Sequence, residues 1–285
     1  MIAPWILRRR MMMAGLAVAD VTKLLIQGTC TFTDHGIVSM SNGNSYRLLS
    51  ITKSGTLTFS DEVNCEVCIV GGGSDGDGYN GGAGAYMLNR AMEKVNGANV
   101  IVGAAKGASS FNTISVAAVS GRSGGTGGGA GSNTYNSPGS GDGLSKYPFG
   151  DTGFSLWSGK PHCAGGGAGG DHSYKRDDDD EQYKVCYDGG NGGTNGSSGG
   201  KGARRSYVIG PGGSKGSGGI YGGGNGGFDG DATGPGSGLA ATYYGSGGGG
   251  KGGGNSLMGT ASVGAGYQGI VYVRIPVDQS ILEAA

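Results

Sequence analysis

The sequence predicts an all-β protein, an antiparallel, sandwich-like β-scaffold that carries an inserted bundle of polyglycine II helices. Three observations predict it. Residues 21–120 hold short runs of β-type residues with period-two alternation, separated by turn signals. Residues 121–266 hold 52 of the chain's 69 glycines. An alternating strand follows at 268–276, so strand-like sequence brackets the glycine region at both ends. The chain divides accordingly into an N-terminal arm (1–20), a β-scaffold (21–120), the glycine region with protruding loops (121–266), and a closing strand with a tail (267–285).

The glycine region is not a uniform linker. Several tracts repeat every three residues with two glycines per repeat, as in Gly166-Gly167-Ala168-Gly169-Gly170-Asp171, Gly189-Gly190-Asn191-Gly192-Gly193-Thr194 and Gly223-Gly224-Asn225-Gly226-Gly227-Phe228. Three is the period of the polyproline II helix, which has no internal hydrogen bonds. With glycine on two of its three edges, neighbouring helices can approach until backbone bonds backbone, satisfying groups that must be paired when buried. Collagen needs an unbroken Gly-X-Y repeat rich in proline, and this chain has broken repeats and 7 prolines. The competing reading of Gly- and Ser-rich sequence is flexible linker; the bracketing strands argue against it.

In chain order, residues 1–20 place Arg8-Arg9-Arg10 before a short apolar run and Ala17-Val18-Ala19, as a signal peptide does. The run is short, and Trp5, Ile6 and Leu7 precede the arginines, so we read a partly helical docking arm with Trp5, Arg8, Arg9 and Arg10 as attachment candidates. Strands are expected from Leu24-Leu25-Ile26 onward, with turns at Gly36, Asn42-Gly43 and Ser54-Gly55. Residues 62–70 alternate cleanly: Val63, Cys65, Val67 and Ile69 on one face, Asn64, Glu66, Cys68 and Val70 on the other. Strands at 85–90 and 98–102 are expected about an Asn96-Gly97 turn, with one helix over 87–95 as the alternative, and a further strand at 112–119. Residues 144–163 and 171–187 interrupt the glycine tracts as loops or short strands. In 268–276, Ile270, Tyr272 and Arg274 alternate with Val271, Val273 and Ile275, a strand that returns to the first sheet.

Hydrophobic residues make up 36% and charged residues 15%, both displaced by glycine, so the ordinary core must come from the two ends of the chain. A small core under much ordered glycine costs conformational entropy, and we expect assembly with other chains to supply the missing burial. The net charge is +0 at a sequence pI of about 6.8, giving no electrostatic case for nucleic acid or an anionic membrane. No stretch reaches about 18 consecutive apolar residues, so no membrane insertion is expected.

The chemistry-bearing motifs are weak. Cys65 and Cys68 on one strand point to opposite faces and cannot readily chelate one ion. His162, Cys163, His172 and Cys186 fit no standard metal spacing; a Cys163–Cys186 disulfide is an alternative, and plain packing is favoured over both. The five cysteines do not form a small secreted disulfide framework. The run Asp177–Glu181 lacks the spaced pattern of a calcium loop and reads as a solvated tip. Gly-x-Gly-x-x-Gly recurs by composition alone, and Lys201 and Lys251 are followed by glycine, so no phosphate loop is present. No metal, cofactor or catalytic set is expected, and the chain does not read as an enzyme. Aromatic residues in the loops are better candidates: Tyr147, Phe149, Trp157, Tyr183, Tyr187, Phe228, Tyr243 and Tyr244 suit a recognition surface or, alternatively, a lid over the bundle.

The order of motifs resembles a known family. A strand at 62–70 runs into Gly71-Gly72-Gly73, then come Gly84-Ala85-Tyr86, Val100-Ile101-Val102-Gly103, long glycine tracts, and Gly269-Ile270-Val271-Tyr272-Val273-Arg274. This resembles the glycine-rich domain of bacteriophage tail-fibre and adhesin proteins, over about residues 56–276. The resemblance implies polyglycine II helices sandwiched on a β-scaffold, loops at one end that bind a host-surface receptor or glycan, and a virion protein that is often trimeric. The charged segment 87–95 and the acidic insertion 171–187 depart from the family pattern. The expected function is therefore a virion tail fibre or surface appendage, held to other virion proteins by the arm and presenting loops to the host. The alternatives are a capsid or tail decoration protein that only stabilises the particle, and a secreted glycine-rich cell-surface protein.

Overall fold

The computed structural model describes residues 20–78, 80–119, 147–167, 169, 171–176, 182–187, 222–224, 227, 236–252 and 260–278. The protein is all-β, with a single three-residue 3₁₀ turn at Pro148–Gly150 among the described residues. The strands are β1 (Ile26–Gly28), β2 (Thr31–Ser39), β3 (Ser45–Lys53), β4 (Gly55–Val70), β5 (Met87–Ile101), β6 (Ser109–Phe111), β7 (Ile114–Val116), β8 (Asp171–Arg176), β9 (Gln182–Tyr187) and β10 (Ile270–Pro276). Eight form one antiparallel sheet in the order β2-β3-β10-β4-β5-β6-β7, with β1 also paired to β4. The last strand lies between β3 and β4, in the middle of the sheet, and all seven of its residues are buried.

The period-two pattern sorts side chains into two cores, one per face. Leu49, Ile51, Val63, Cys65, Val67, Ile69, Val271, Val273 and Ile275 share the first core with Val21, Leu24, Phe59, Val100 and Phe111. Tyr46, Leu48, Cys68, Val70, Ile270 and Tyr272 share the second with Met40, Val119, Trp157 and Cys163. Cys65 and Cys68 thus lie in different cores, as the alternation predicts. Burial pushes the Cys65 thiol up to about 12, assisted by the charges of Glu93 and Glu66, and burial raises Cys68 as well. A thiol so held is a poor nucleophile. We expect iodoacetamide at pH 8 to leave both unlabelled in the native protein and to label both in denaturant; rapid native labelling, read by peptide mass, would contradict the burial.

Three expectations, two of turns and one of a strand, are corrected. Gly36 does not turn the chain; β2 runs through it with a bulge between Asp34 and Ile37, where Gly36 has φ +68°. Asn96-Gly97 is not a hairpin turn, and 87–95 is not a helix. Both lie inside β5, which continues because β4 is long enough to pair with it on both sides of a bulge between Thr58 and Val63. The strand expected at 112–119 is a small hairpin, β6–β7, turning at Asn112 with φ +51°. The Asn42-Gly43 turn does form, with Gly43 at φ +82°. Within 171–187, β8 and β9 pair as a separate two-stranded antiparallel sheet.

The glycine segments pair by backbone with a period of three. Gly247 and Gly250 donate their N–H groups to the carbonyls of Ala164 and Gly167 (2.8 and 2.9 Å), and Gly248 and Lys251 donate to Ser74 and Gly78 (2.9 Å each). Gly249 and Gly252 donate to Leu239 and Gly236, a neighbour running the opposite way. The carbonyls of the same segment accept from Gly224 and Gly227, from Gly82 and Ala85, and from Gly264 and Tyr267. Residues 245–252 are therefore hydrogen-bonded to six other segments, and every third residue meets the same neighbour. A strand would alternate every second residue and a helix every 3.6. Gly245–Gly250 are all buried. Side chains cannot enter: a Cβ on Gly247 would overlap the Gly82 carbonyl, one on Gly248 the Gly264 carbonyl, and one on Gly166 the Gly248 carbonyl.

Candidate functional site

The second face of the sheet carries a cleft of about 380 Å³ lined by Ser41, Asn42, Arg90, Phe149, Gly150, Asp151, Thr152 and Arg274. Its rim is the segment 147–157, and local sequence explains why that segment sits there. Pro148 favours the first position of the 3₁₀ turn, and Gly150 leaves it at φ +70°. Asp151 then clamps the segment to the β2–β3 turn. Its carboxylate accepts the Ser41 N–H (2.9 Å), the Ser41 hydroxyl, and the Gly153 and Phe154 N–H groups (3.1 Å each). Burial alone would raise this carboxyl, but those bonds hold it below the usual range. On the other side, the Gly150 N–H donates to Asn89 Oδ1 of β5 (3.1 Å). The indole N–H of Trp157 donates to the Asp151 carbonyl, and its ring is fully buried against Phe154 and Tyr272, with centroids at 4.7 and 5.3 Å.

The floor is a charge cluster that β10 places in the middle of the sheet. Arg274 stands opposite Glu66 in the β10–β4 register, and its Nε donates to Glu66 Oε2. Arg90 of β5 pairs with Glu66 Oε1. Glu66 is fully buried and the Arg274 side chain is 5% exposed, whereas the Arg90 side chain is 47% exposed. The Arg274 guanidinium lies between two rings, 4.4 Å from the Tyr46 centroid and 4.2 Å from that of Phe149. Phe149 holds a left-handed backbone (φ +57°, ψ +14°), a costly conformation for a bulky residue that puts its ring over the arginine.

From the cleft, aromatic contacts continue toward the glycine segments. Tyr272 is followed by His162, whose Nε2 lies 2.9 Å from the Tyr272 hydroxyl. Tyr243 and Tyr244 flank the imidazole with centroids at 4.9 and 6.1 Å, and Tyr267 meets Tyr244 edge-to-face at 5.6 Å. His162 is fully buried, its Nδ1 has no hydrogen-bond partner, and burial depresses its pKa to about 3. The unfolded chain binds a proton near pH 6.5 that the folded state refuses. Stability contributed by neutral His162 is therefore whole above about pH 6.5 and falls by roughly 1.4 kcal/mol per unit below it, down to about pH 3. Urea unfolding at pH 7 and pH 5 is expected to differ by about 2 kcal/mol from this source. The difference should shrink by that amount in His162→Gln; an unchanged difference would show that the ring protonates in place.

The aromatic candidates divide. Phe149 lines the cleft, and Tyr147 and Phe149 pack half-buried against the second core. Trp157 is fully buried and offers no surface. Tyr243 and Tyr244 are half-buried beside His162. Tyr183 and Tyr187 lie on β9, opposite Lys175 and Asp171 in register. Phe228, Trp5, Arg8, Arg9, Arg10 and the run Asp177–Glu181 lie outside the described residues, as do the side chains of His172 and Cys186. Among the described residues, no three His, Cys, Asp or Glu side chains converge as a metal site would need. No helix among them is long and apolar enough to cross a membrane. Glu66, Arg90, Tyr46, Asp151 and Arg274 went unmarked in the sequence. The available signal was a pair of opposite charges: Arg274 in the otherwise apolar β10, and Glu66 in the alternating stretch 63–70 of β4.

Comparison with protein-family models, with curated proteins and with solved structures gives no match to this chain.

Proposed function

We propose that the protein is a non-enzymatic virion structural component, a tail fibre or other surface appendage that presents loops to a host cell surface. One observation supports this most directly: residues 245–252 bond by backbone to six surrounding segments in steps of three. We read these as polyglycine II helices packed side by side and sandwiched on the β-scaffold. Their edges are backbone, so such a bundle is rigid without needing a side-chain core, and its connections are free to vary. Rigid elements presenting variable loops are a common architecture for recognition, because ordering costs are met before binding. The interruptions of the tracts, including the β8–β9 strand pair, are the segments so presented. Attachment through the arm at 1–20 and assembly as a trimer belong to the same proposal.

The test is to purify phage-like particles from the source and look for this chain by intact mass. Chain in the particles, in multiples of three per appendage, and its loss on deletion of residues 1–20 are the expected results. Chain found only in culture supernatant or on cells would overturn the proposal in favour of a secreted surface protein. Chain spread over the shell, with no effect of its removal on adsorption, would favour a decoration role instead.

A further inference from the structure

We propose that His162 is an acid-released latch between the β-sheet and the glycine array. One short segment joins the two. Residues 161–167 are all buried. Their backbone belongs to the array: the Gly166 and Gly167 N–H groups donate to the Gly82 and Gly224 carbonyls (2.8 and 2.9 Å), and the Ala164 and Gly167 carbonyls accept from Gly247 and Gly250 (2.8 and 2.9 Å). The His162 ring reaches the sheet instead, with Nε2 at 2.9 Å from the Tyr272 hydroxyl of β10. The imidazole is fully buried, and its Nδ1 has no hydrogen-bond partner among the described residues.

The surroundings hold nothing that would stabilise a charge on this ring. The titratable groups around it are Tyr272 on β10, Tyr243 and Tyr244 on the segment 236–245, and Cys163 beside it in the chain, with Cys68 of β4 in the same core as Tyr272 and Cys163. All of them are neutral in acid, and burial raises the three tyrosines and Cys68 further from ionisation. Among the described residues, no carboxylate stands near enough to shift the titration of His162, which burial alone depresses. A second proton would bring an unpaired charge into this pocket, which is costly. Down to about pH 3 it therefore binds only where the segment lifts off and the ring reaches water. Acid then favours the open form by mass action. Opening need not spread through the sheet, because the first core on the opposite face, with Leu49, Val67, Val271 and Val273, contains neither His162 nor its tyrosines. The inference concerns how the array is held, and it is independent of the virion reading above.

The test is amide hydrogen exchange of the full chain at pH 6.5 and pH 4.5, with rates corrected for the intrinsic effect of pH. A ring that titrates near pH 6.5 when open and near pH 3 when closed makes opening about fiftyfold more frequent at the lower pH. Protection at Gly166, Gly167, Gly247 and Gly250 should fall by that factor, while Val271 and Val273 hold theirs. Asp75 is another acid-sensitive tie to the array, accepting the Gly266 N–H at 2.9 Å and pairing with Lys106. Burial alone would raise its carboxyl, but these bonds hold it below the ordinary range, so it stays ionised at pH 4.5. His162→Gln keeps an amide for the Tyr272 hydroxyl and takes no proton, so its protection should not depend on pH over this range. His35→Gln, on β2 where the ring bonds Ser50, should keep the parent's slope. Equal protection of the parent at the two pH values would overturn the proposal. So would a slope that survives in His162→Gln or vanishes in His35→Gln. Loss at Val271 and Val273 in step with the glycines would also overturn it, since the event would then be global unfolding. If His162→Gln does not fold, the parent's profile and the His35 control still decide.

Discussion

Arg274→Ala is expected to destabilise the protein by about 3–5 kcal/mol, the usual cost of removing one partner of a buried ion pair. Arg274 lies on the central strand and is its chief buried charge, with Nε on Glu66 and its guanidinium between Tyr46 and Phe149. Truncation would remove the ring contacts and leave Glu66 buried with only Arg90, whose side chain is 47% exposed. The double variant Arg274→Met with Glu66→Leu should recover most of the loss. It removes both deep charges at similar volume, and Arg90 remains solvated. Urea unfolding midpoints measure both. A single variant within about 1 kcal/mol of the parent would mean that Arg90 or water satisfies Glu66 unaided.

Gly247→Ala should be as damaging, by about 3 kcal/mol or more, while Gly97→Ala should change stability by less than about 1 kcal/mol. The two substitutions add the same methyl group. At Gly97 its nearest neighbours would be Leu57 O at 3.5 Å and Thr58 Cγ2 at 3.6 Å, ordinary contact in a strand. At Gly247 it would overlap the Gly82 carbonyl, whose residue also donates to Gly248 and accepts from Gly166. That carbonyl cannot retreat without breaking these bonds, so the methyl must force neighbouring segments apart. Thermal unfolding should show the Gly247 variant melting well below the parent and the Gly97 variant near it. Equal melting of all three would mean that the segments are not in backbone contact.

The strands were legible where alternation was strong. Residues 62–70 and 268–276 announced both faces correctly, because their apolar positions alternate between the two cores. Turn signals were less secure. Asn42-Gly43 made a hairpin because strands of matching length flank it, whereas Asn96-Gly97 was carried through by pairing with the long β4. Local turn chemistry decides only when no partner strand competes. The insertion of β10 between β3 and β4 could not be read locally, since its partners lie more than 190 residues away in sequence. The cleft was hidden for the same reason. Glu66 shares its face of 62–70 with Asn64, Cys68 and Val70, and only the packing of 147–163 over that face turns Glu66 and Arg274 into a buried cluster. Phe149 was marked as an aromatic of interest, but its left-handed backbone left no trace in composition.

The most direct test of the backbone-paired glycine array is amide hydrogen exchange at Gly247–Gly250. These residues lack side chains to bury, so only backbone pairing can protect them. If the array holds as described, their amides will exchange as slowly as those of Val271 and Val273 in the central strand. Exchange at the rate of an unfolded chain, with β10 still protected, would show that the glycine segments do not pack on one another, and the rigid-platform account would fall.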